Sequence, residues 1–328
     1  MTEAGIHLFI GFRGASLEEE LKYLIREYRP GGIVLFRRNI EGRDQLKTLV
    51  ASTQALAMEE LKRPVFFAVD QEGGSVQRLS PHFSWIPSAR SVAEQGQEAV
   101  ARWAEVCAAD LREIGIQIDF APVLDIVDEG KEHFMESRSF GSTPSKVSDL
   151  GTVWIETLQA NGISATAKHF PGLGRAELDP HHFAPVIADE KMDDFHHDLI
   201  PFRAAIRAGV NCLMSSHAVY RVVDNLHPAT LSYEICHTWL RERLGFGGVL
   251  FADDLDMAAI SDNYSPEDIA SLGLQCSTDF FLLCQKSESI EPMYRALSDQ
   301  LDRDRALKRF HSDTIQRLEM LRLFHFPG

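Results

Sequence analysis

Short apolar runs alternate along this chain with longer stretches in which apolar residues recur every three or four positions. The short runs cover 7–12, 32–36, 65–69, 117–122, 164–169, 212–217, 248–253 and 279–284. Their length and their wealth of Val, Ile and Phe predict strands. Helix-period segments cover 17–28, 44–61, 96–114, 145–161, 191–208, 233–244 and 266–276, and one or two more fall within 290–323. Eight β units alternating with α units in 328 residues predict an α/β chain folded as a (β/α)8 TIM-type barrel, a single domain over 1–328. The strand interiors are almost wholly apolar, as in strands covered on both faces. A doubly wound open sheet is the other arrangement such alternation allows. Its dinucleotide-binding form needs Gly-x-Gly-x-x-Gly after strand one, which here runs into Gly11-Phe12-Arg13-Gly14 with no third glycine in register. No low-complexity linker or internal repeat divides the chain.

Composition narrows the function. With 45% apolar residues the chain can bury a large core, and a net charge of −15 repels phosphate backbones, so no nucleic-acid partner is expected. Cys107, Cys212, Cys236, Cys276 and Cys284 are scattered, form no Cys-x-x-Cys pair and lie mostly in apolar runs, as buried reduced thiols do. Met1-Thr2-Glu3-Ala4-Gly5 has no basic leader, and no run approaches the roughly 18 apolar residues of a membrane span. A soluble cytoplasmic protein that does not engage membranes is expected.

Barrel enzymes carry their chemistry at the C-terminal ends of the strands. Polar groups gather there in this chain. Strand two ends at Arg37-Arg38-Asn39, strand three at Asp70-Gln71-Glu72-Gly73-Gly74, and strand four leads through Asp125 to Arg138. Strand five ends at Lys168-His169, strand six at Ser215-Ser216-His217 and strand seven at Asp253-Asp254. Cleaving an acetal takes a proton donor and a negative charge on opposite sides of the scissile bond, and these ends can supply both. Asp253 and Asp254 point to opposite sides of a strand, and the runs before them do not say which faces the axis. Asp254 or Asp253, whichever faces away, is expected to cap the next helix or meet a basic neighbour. Lys168, costly to bury alone, is expected to face the pocket, and Asp70 with Arg78 to clamp sugar hydroxyls. Asp179 and His181 are separated by Pro180, which favours an extended backbone, so both side chains can project to one side. A carboxylate beside an imidazole holds its tautomer and favours the imidazolium, giving His181 a proton to donate near neutral pH. Gly172 and Gly174 are expected to lend that loop hinge freedom.

These stretches resemble glycoside hydrolase family 3, and within it the bacterial β-N-acetylglucosaminidases of cell-wall recycling. The resemblance runs from Leu35-Phe36-Arg37-Arg38-Asn39-Ile40 to 251–257. It includes Asp70-Gln71-Glu72-Gly73-Gly74, Arg78, Phe120-Ala121-Pro122-Val123, Arg138-Ser139-Phe140-Gly141, Lys168-His169-Phe170-Pro171-Gly172 and Pro228-Ala229-Thr230-Leu231-Ser232. It implies that Asp253 is the nucleophile and that His181, oriented by Asp179, is the general acid/base. It implies further that Asp70, Arg78, Arg138, Lys168 and His169 contact the terminal sugar. Other branches of the family generally take a carboxylic acid from a second domain, and a chain of this length is expected to lack one. Departures are Pro180 where serine is common, Leu173 where histidine is frequent, Ser75 in place of a frequent arginine, and 128–137, which lacks the usual Ile-Gly pattern.

The expected activity is that of a retaining exo-β-N-acetylglucosaminidase acting on a small carbohydrate such as an N-acetylglucosamine-containing muropeptide. No cofactor and no metal are expected, and the expected state is a monomer. Three other readings compete. A β-glucosidase, β-xylosidase or glycoside phosphorylase would keep the mechanism. A metal-dependent barrel hydrolase could draw on His169, His181, His217 and Asp253, but strand one lacks the usual His-x-His. A non-catalytic sugar-binding protein would not need Asp253, Asp179 and His181 together.

Overall fold

The structure, a computed structural model, describes residues 3–128, 130, 133–176, 185–187 and 191–327. Eight parallel strands close into a barrel: β1 (Leu8–Ile10), β2 (Gly32–Leu35), β3 (Phe66–Val69), β4 (Ile118–Asp119), β5 (Ser164–Phe170), β6 (Cys212–Ser215), β7 (Val249–Ala252) and β8 (Phe280–Leu283). Each pairs with its chain neighbours, and β1 pairs with β8 to complete the ring. The predicted barrel is therefore the observed one. Helices α1 (Glu19–Tyr28), α2 (Arg43–Leu61), α3 (Gln97–Ile114), α4 (Pro144–Ala160), α5 (Met192–Arg207), α6 (Glu234–Arg243) and α7 (Pro266–Gln275) make the crossovers, and α8 (Ile290–Arg303) and α9 (Arg305–His325) follow β8. No helix among the described residues is long and apolar enough to cross a membrane.

Local chemistry explains the boundaries. Helix α1 buries Leu21, Leu24, Ile25 and Tyr28, a single stripe at helical spacing. Thr143 caps α4 by accepting from the Lys146 N–H, and Ser265 and Asp268 form a reciprocal cap on α7, each with proline just inside the start. Strand β4 is shorter than the predicted 117–122, because Pro122 has no N–H to donate. Its carbonyl still accepts from the Lys168 N–H at 3.1 Å, so the β5 side of the ladder continues. Helix α6 winds as a π-helix rather than an α-helix. Small elements not foreseen include the antiparallel pair Gln71–Gly73 and Val76–Gln77, the parallel pair Val186–Ile187 and Val219–Tyr220, and the short helices Ala89–Glu94, capped by Ser88, and Ala258–Ser261.

The barrel interior is built in layers. Val34, Phe120, Met214 and Leu282, from the even-numbered strands and the residue after β4, share one buried cluster near the C-terminal end. Phe9, Ala68 and Phe251 from β1, β3 and β7 lie beneath, with the Phe9 and Phe251 rings 5.3 Å apart in an edge-to-face pair. Alternating layers from odd and even strands are how such barrels fill. Leu8, Ile10, Leu35, Ala165, Ala167, Leu250 and Ala252 point the other way, into the helical shell. Helix α9 lies against the N-terminal end, where Leu318 and Leu321 join the interior cluster. The buried Asp279 accepts from Arg241 and Thr314 at 2.8 and 2.7 Å and pairs with Arg317 at 2.8 Å, and His325 bonds Ser164 at 2.7 Å. All five cysteines are buried and free.

Candidate active site

Two residues beyond the last inward position of β3, β5 and β7, the layer turns polar. Ala68 leads to Asp70 on β3, Thr166 to Lys168 on β5, and Phe251 to Asp253 on β7. The period of two therefore carries all three side chains over the apolar floor of Val34, Phe120, Met214 and Leu282. They line a cavity of about 580 Å³ together with Arg78, Arg138 and His169. The six sequence-predicted residues outside the 177–184 segment thus meet in one place. Asp179 and His181 lie outside the described residues.

The cavity wall holds an alternating chain of charges. Arg78 Nη2 is 3.1 Å from Asp70 Oδ2, and Lys168 Nζ is 2.9 Å from Asp70 Oδ1 and 2.6 Å from Glu72 Oε1. Arg138 closes on Glu72 with two bonds of 2.7 Å, the planar fork on fork that guanidinium and carboxylate favour. Burial raises the Asp70 and Glu72 pKa values. Lys168 and Arg78 outweigh it at Asp70, and Arg138 and Lys168 outweigh it at Glu72, so both carboxyls end below the ordinary range, Glu72 at about 2. Burial likewise lowers the Lys168 pKa, and Asp70 with Glu72 reverses the sign and holds the ammonium. Lys168 faces the cavity as expected, with its charge already shared between two carboxylates. Glu72 was missed as a site residue. The signal was present, because Asp70 and Glu72 are two apart on an extended segment and share a side.

His169 bonds Asp125 through Nδ1 at 2.7 Å, which leaves Nε2 as the ring nitrogen for a ligand. Asp125, fully buried, also accepts from the Leu173 N–H. His217 is buried beside Asp253. Its Nε2 lies 3.0 Å from the Asp254 carbonyl, which can only accept, so that nitrogen carries the hydrogen. Its Nδ1 meets Thr230 Oγ1 at 3.0 Å.

Asp253 faces the cavity, partly buried, with Oδ1 accepting from the Asp254 N–H at 2.8 Å. Burial pushes its pKa up. The imidazoles of His217 and His169, the Asp254 N–H and Lys168 together outweigh that, and the carboxyl is held below its ordinary value. Of its two expected roles Asp254 does not take the cap, since Met257 precedes the short helix Ala258–Ser261; its charge instead supports the Arg38 guanidinium, and its Oδ1 accepts from Asp256 N and Cys284 N at 3.1 and 3.2 Å. It ties the end of β7 to the end of β8. Burial, then the adjacent Asp256 and Asp253, push its pKa up to about 7.

Gly172 and Gly174 have a different cause from the expected hinge. A Cβ at Gly174 would lie 1.8 Å from the Ile126 carbonyl oxygen, and one at Gly172 2.8 Å from the Asp198 Cβ. Close packing alone requires Gly174, whereas Gly172 is also held at φ +130°, a backbone conformation that favours glycine. Arg175 pairs with Asp198 at 2.9 Å on the outer side.

Comparison with known proteins fits this geometry. The family model for the glycosyl hydrolase family 3 N terminal domain matches residues 7–320. The chain belongs to glycosyl hydrolase family 3. It is 35% identical over 303 residues to a protein named beta-hexosaminidase from Thioalkalivibrio sulfidiphilus, spanning 90% of this chain and 85% of that one. Among solved structures, a family 3 beta-N-acetylglucosaminidase from Paenibacillus sp. superposes with a TM-score of 0.94 at 32% identity. The alignment covers 98% of this family 3 chain but 62% of the Paenibacillus one, which is longer. A beta-N-acetylhexosaminidase from Beutenbergia cavernae superposes with a TM-score of 0.90 at 29% identity, covering 97% and 96% of the two chains.

Proposed function

We propose that this family 3 chain is a retaining exo-β-N-acetylglucosaminidase that releases terminal β-linked N-acetylglucosamine. Its β-N-acetylhexosaminidase activity follows from the family and from relatives of that name whose length it largely spans. The observation that carries the mechanism is the Asp253 carboxylate, aimed into the cavity and kept ionised opposite a wall of paired cations and anions. A carboxylate so placed is a nucleophile for an anomeric carbon.

In the first step an Asp253 oxygen bonds to the anomeric carbon as the glycosidic C–O bond breaks, and the departing oxygen takes a proton from the His181 imidazolium, oriented by Asp179. In the second step a water gives its proton to His181 and bonds to the same carbon, and the glycosyl–Asp253 ester breaks. Two inversions return the sugar in its original β configuration. Asp70, Arg78, Arg138, Lys168 and His169 hold the hydroxyls of the terminal sugar. Neither step uses a metal or cofactor. The substrate is a muropeptide-type fragment of peptidoglycan, the compartment the cytoplasm and the active form a monomer.

The test is hydrolysis of aryl β-glycosides of N-acetylglucosamine, glucose and xylose. Preference for the N-acetylglucosaminide, lost by about 10³-fold or more in Asp253→Asn, is expected. Normal turnover in that variant would sink the nucleophile assignment, and preference for glucoside or xyloside would move the substrate. His181→Ala is expected to slow a phenyl glycoside far more than a dinitrophenyl one, since proton donation matters most for a poor leaving group.

A further inference from the structure

The backbone stem that leads into residues 177–184 is held by a residue outside the proposed sugar contacts. His133, in the β4–α4 connection, places Nε2 2.8 Å from the Ala176 carbonyl oxygen. Its Nδ1 accepts from the Met135 N–H at 3.1 Å. The carbonyl can only accept and the N–H can only donate, so the two bonds select the neutral ring with hydrogen on Nε2. The ring is stacked on Phe134, with centroids 4.5 Å apart and planes 26° from parallel, and Phe134 and Met135 both line the cavity. Below it, Asp125 accepts from the Leu173 N–H and the Ile126 backbone packs directly on Gly174. One connection of the barrel thus grips the next at Leu173, Gly174 and Ala176 in turn, and Ala176 carries the last of these contacts before the segment that contains Asp179 and His181.

We propose that His133 is a positioning residue, a staple whose Nε2–H fixes the Ala176 carbonyl and so anchors the chain just before Asp179 and His181. This rests on the reading of His181 as the proton donor. Proton transfer to a leaving oxygen tolerates little misplacement, and a shift of about 1 Å in a supporting backbone can cost on the order of 100-fold. His133 itself touches no reacting atom; it acts through the backbone that it holds.

Two near-isosteres separate the two bonds of the ring. The terminal amide nitrogen of glutamine stands about where Nε2 does, so His133→Gln keeps the bond to Ala176. Asparagine reaches only as far as Nδ1, so His133→Asn keeps the acceptor for Met135 and drops the staple. With phenyl and 2,4-dinitrophenyl N-acetylglucosaminides as probes, His133→Asn and His133→Ala are expected to lower kcat on the phenyl substrate about 10-fold or more. The dinitrophenyl rate and both KM values should change little, and His133→Gln should resemble the wild type. Amide hydrogen exchange over 172–176 should quicken in the Asn and Ala variants and not in the Gln variant. Equal losses on both substrates, a wild-type profile in His133→Asn, or unchanged exchange would each overturn the staple. His181→Ala, run beside them, separates the two ideas. If it shows no leaving-group dependence, the proton-donor reading fails while the exchange result still judges His133.

Discussion

Glu72 shows how much one side chain decides in this cavity. It is almost fully buried, and among the described residues it is the one that joins Lys168 to Arg138. A charge in that position is tolerable because each partner is within 2.7 Å. Removing it leaves a buried ammonium with one carboxylate and a guanidinium with none of its fork. Glu72→Ala is expected to lose about 3–5 kcal/mol in urea unfolding, the cost of breaking one side of a buried pair. Glu72→Gln should lose less and should raise KM, because Lys168 and Arg138 would be free to swing. The pH dependence has a definite sign. A carboxyl whose folded pKa is depressed to about 2 stabilises the fold above its ordinary value, and that share is lost as pH falls through about 2. A variant with unchanged stability and unchanged KM would show that the network is incidental.

Among the elements, α9 is fastened to the barrel's N-terminal end by a set of buried polar contacts that respond to acid. His7, fully buried, bonds the Asp279 carbonyl through Nδ1 at 3.0 Å and meets His311 Nδ1 through Nε2 at 2.8 Å. Burial, then His311, lowers the His7 pKa to about 4, and burial lowers that of His325 to about 4 as well. Both rings are neutral in the fold and basic in the unfolded chain. The unfolded chain therefore takes up more protons between about pH 4 and 6.5, so stability is full above 6.5 and falls as acid is added. Wild-type protein is expected to lose on the order of 2 kcal/mol per histidine between pH 7 and pH 4.5 from these two groups. His7→Gln should flatten that slope, measured as the urea midpoint against pH. An identical slope in the variant would assign the acid sensitivity elsewhere.

At the scale of the whole molecule, the barrel brings charged groups from strands far apart in sequence over one apolar floor, and it does so without a cluster of metal-ligating side chains among the described residues. Turnover is expected to survive dialysis against EDTA unchanged; a loss restored by zinc would favour the metal-dependent hydrolase instead. Much of this was legible in the chain. Runs of four to six apolar residues spaced by helix-period segments determine eight β/α units, because a strand buried on both faces has to be apolar throughout. Polar residues closing those runs mark the end that carries chemistry, and Lys168-His169 and Asp253-Asp254 stand there in the bare sequence. The same rule hides the rest. When both faces of a strand are apolar, no alternation says which phase points inward, so Asp253 and Asp254 are equivalent until the barrel closes. Closure decides it: Val249 and Phe251 fill the interior, Leu250 and Ala252 meet the helices, and Asp253 follows the first row. Glu72 under Lys168 and Arg138, Asp125 behind His169, and His133 on Ala176 likewise come from contacts between separate connections. Spacing along the chain determined which elements form; only the closed barrel decided which side chains meet.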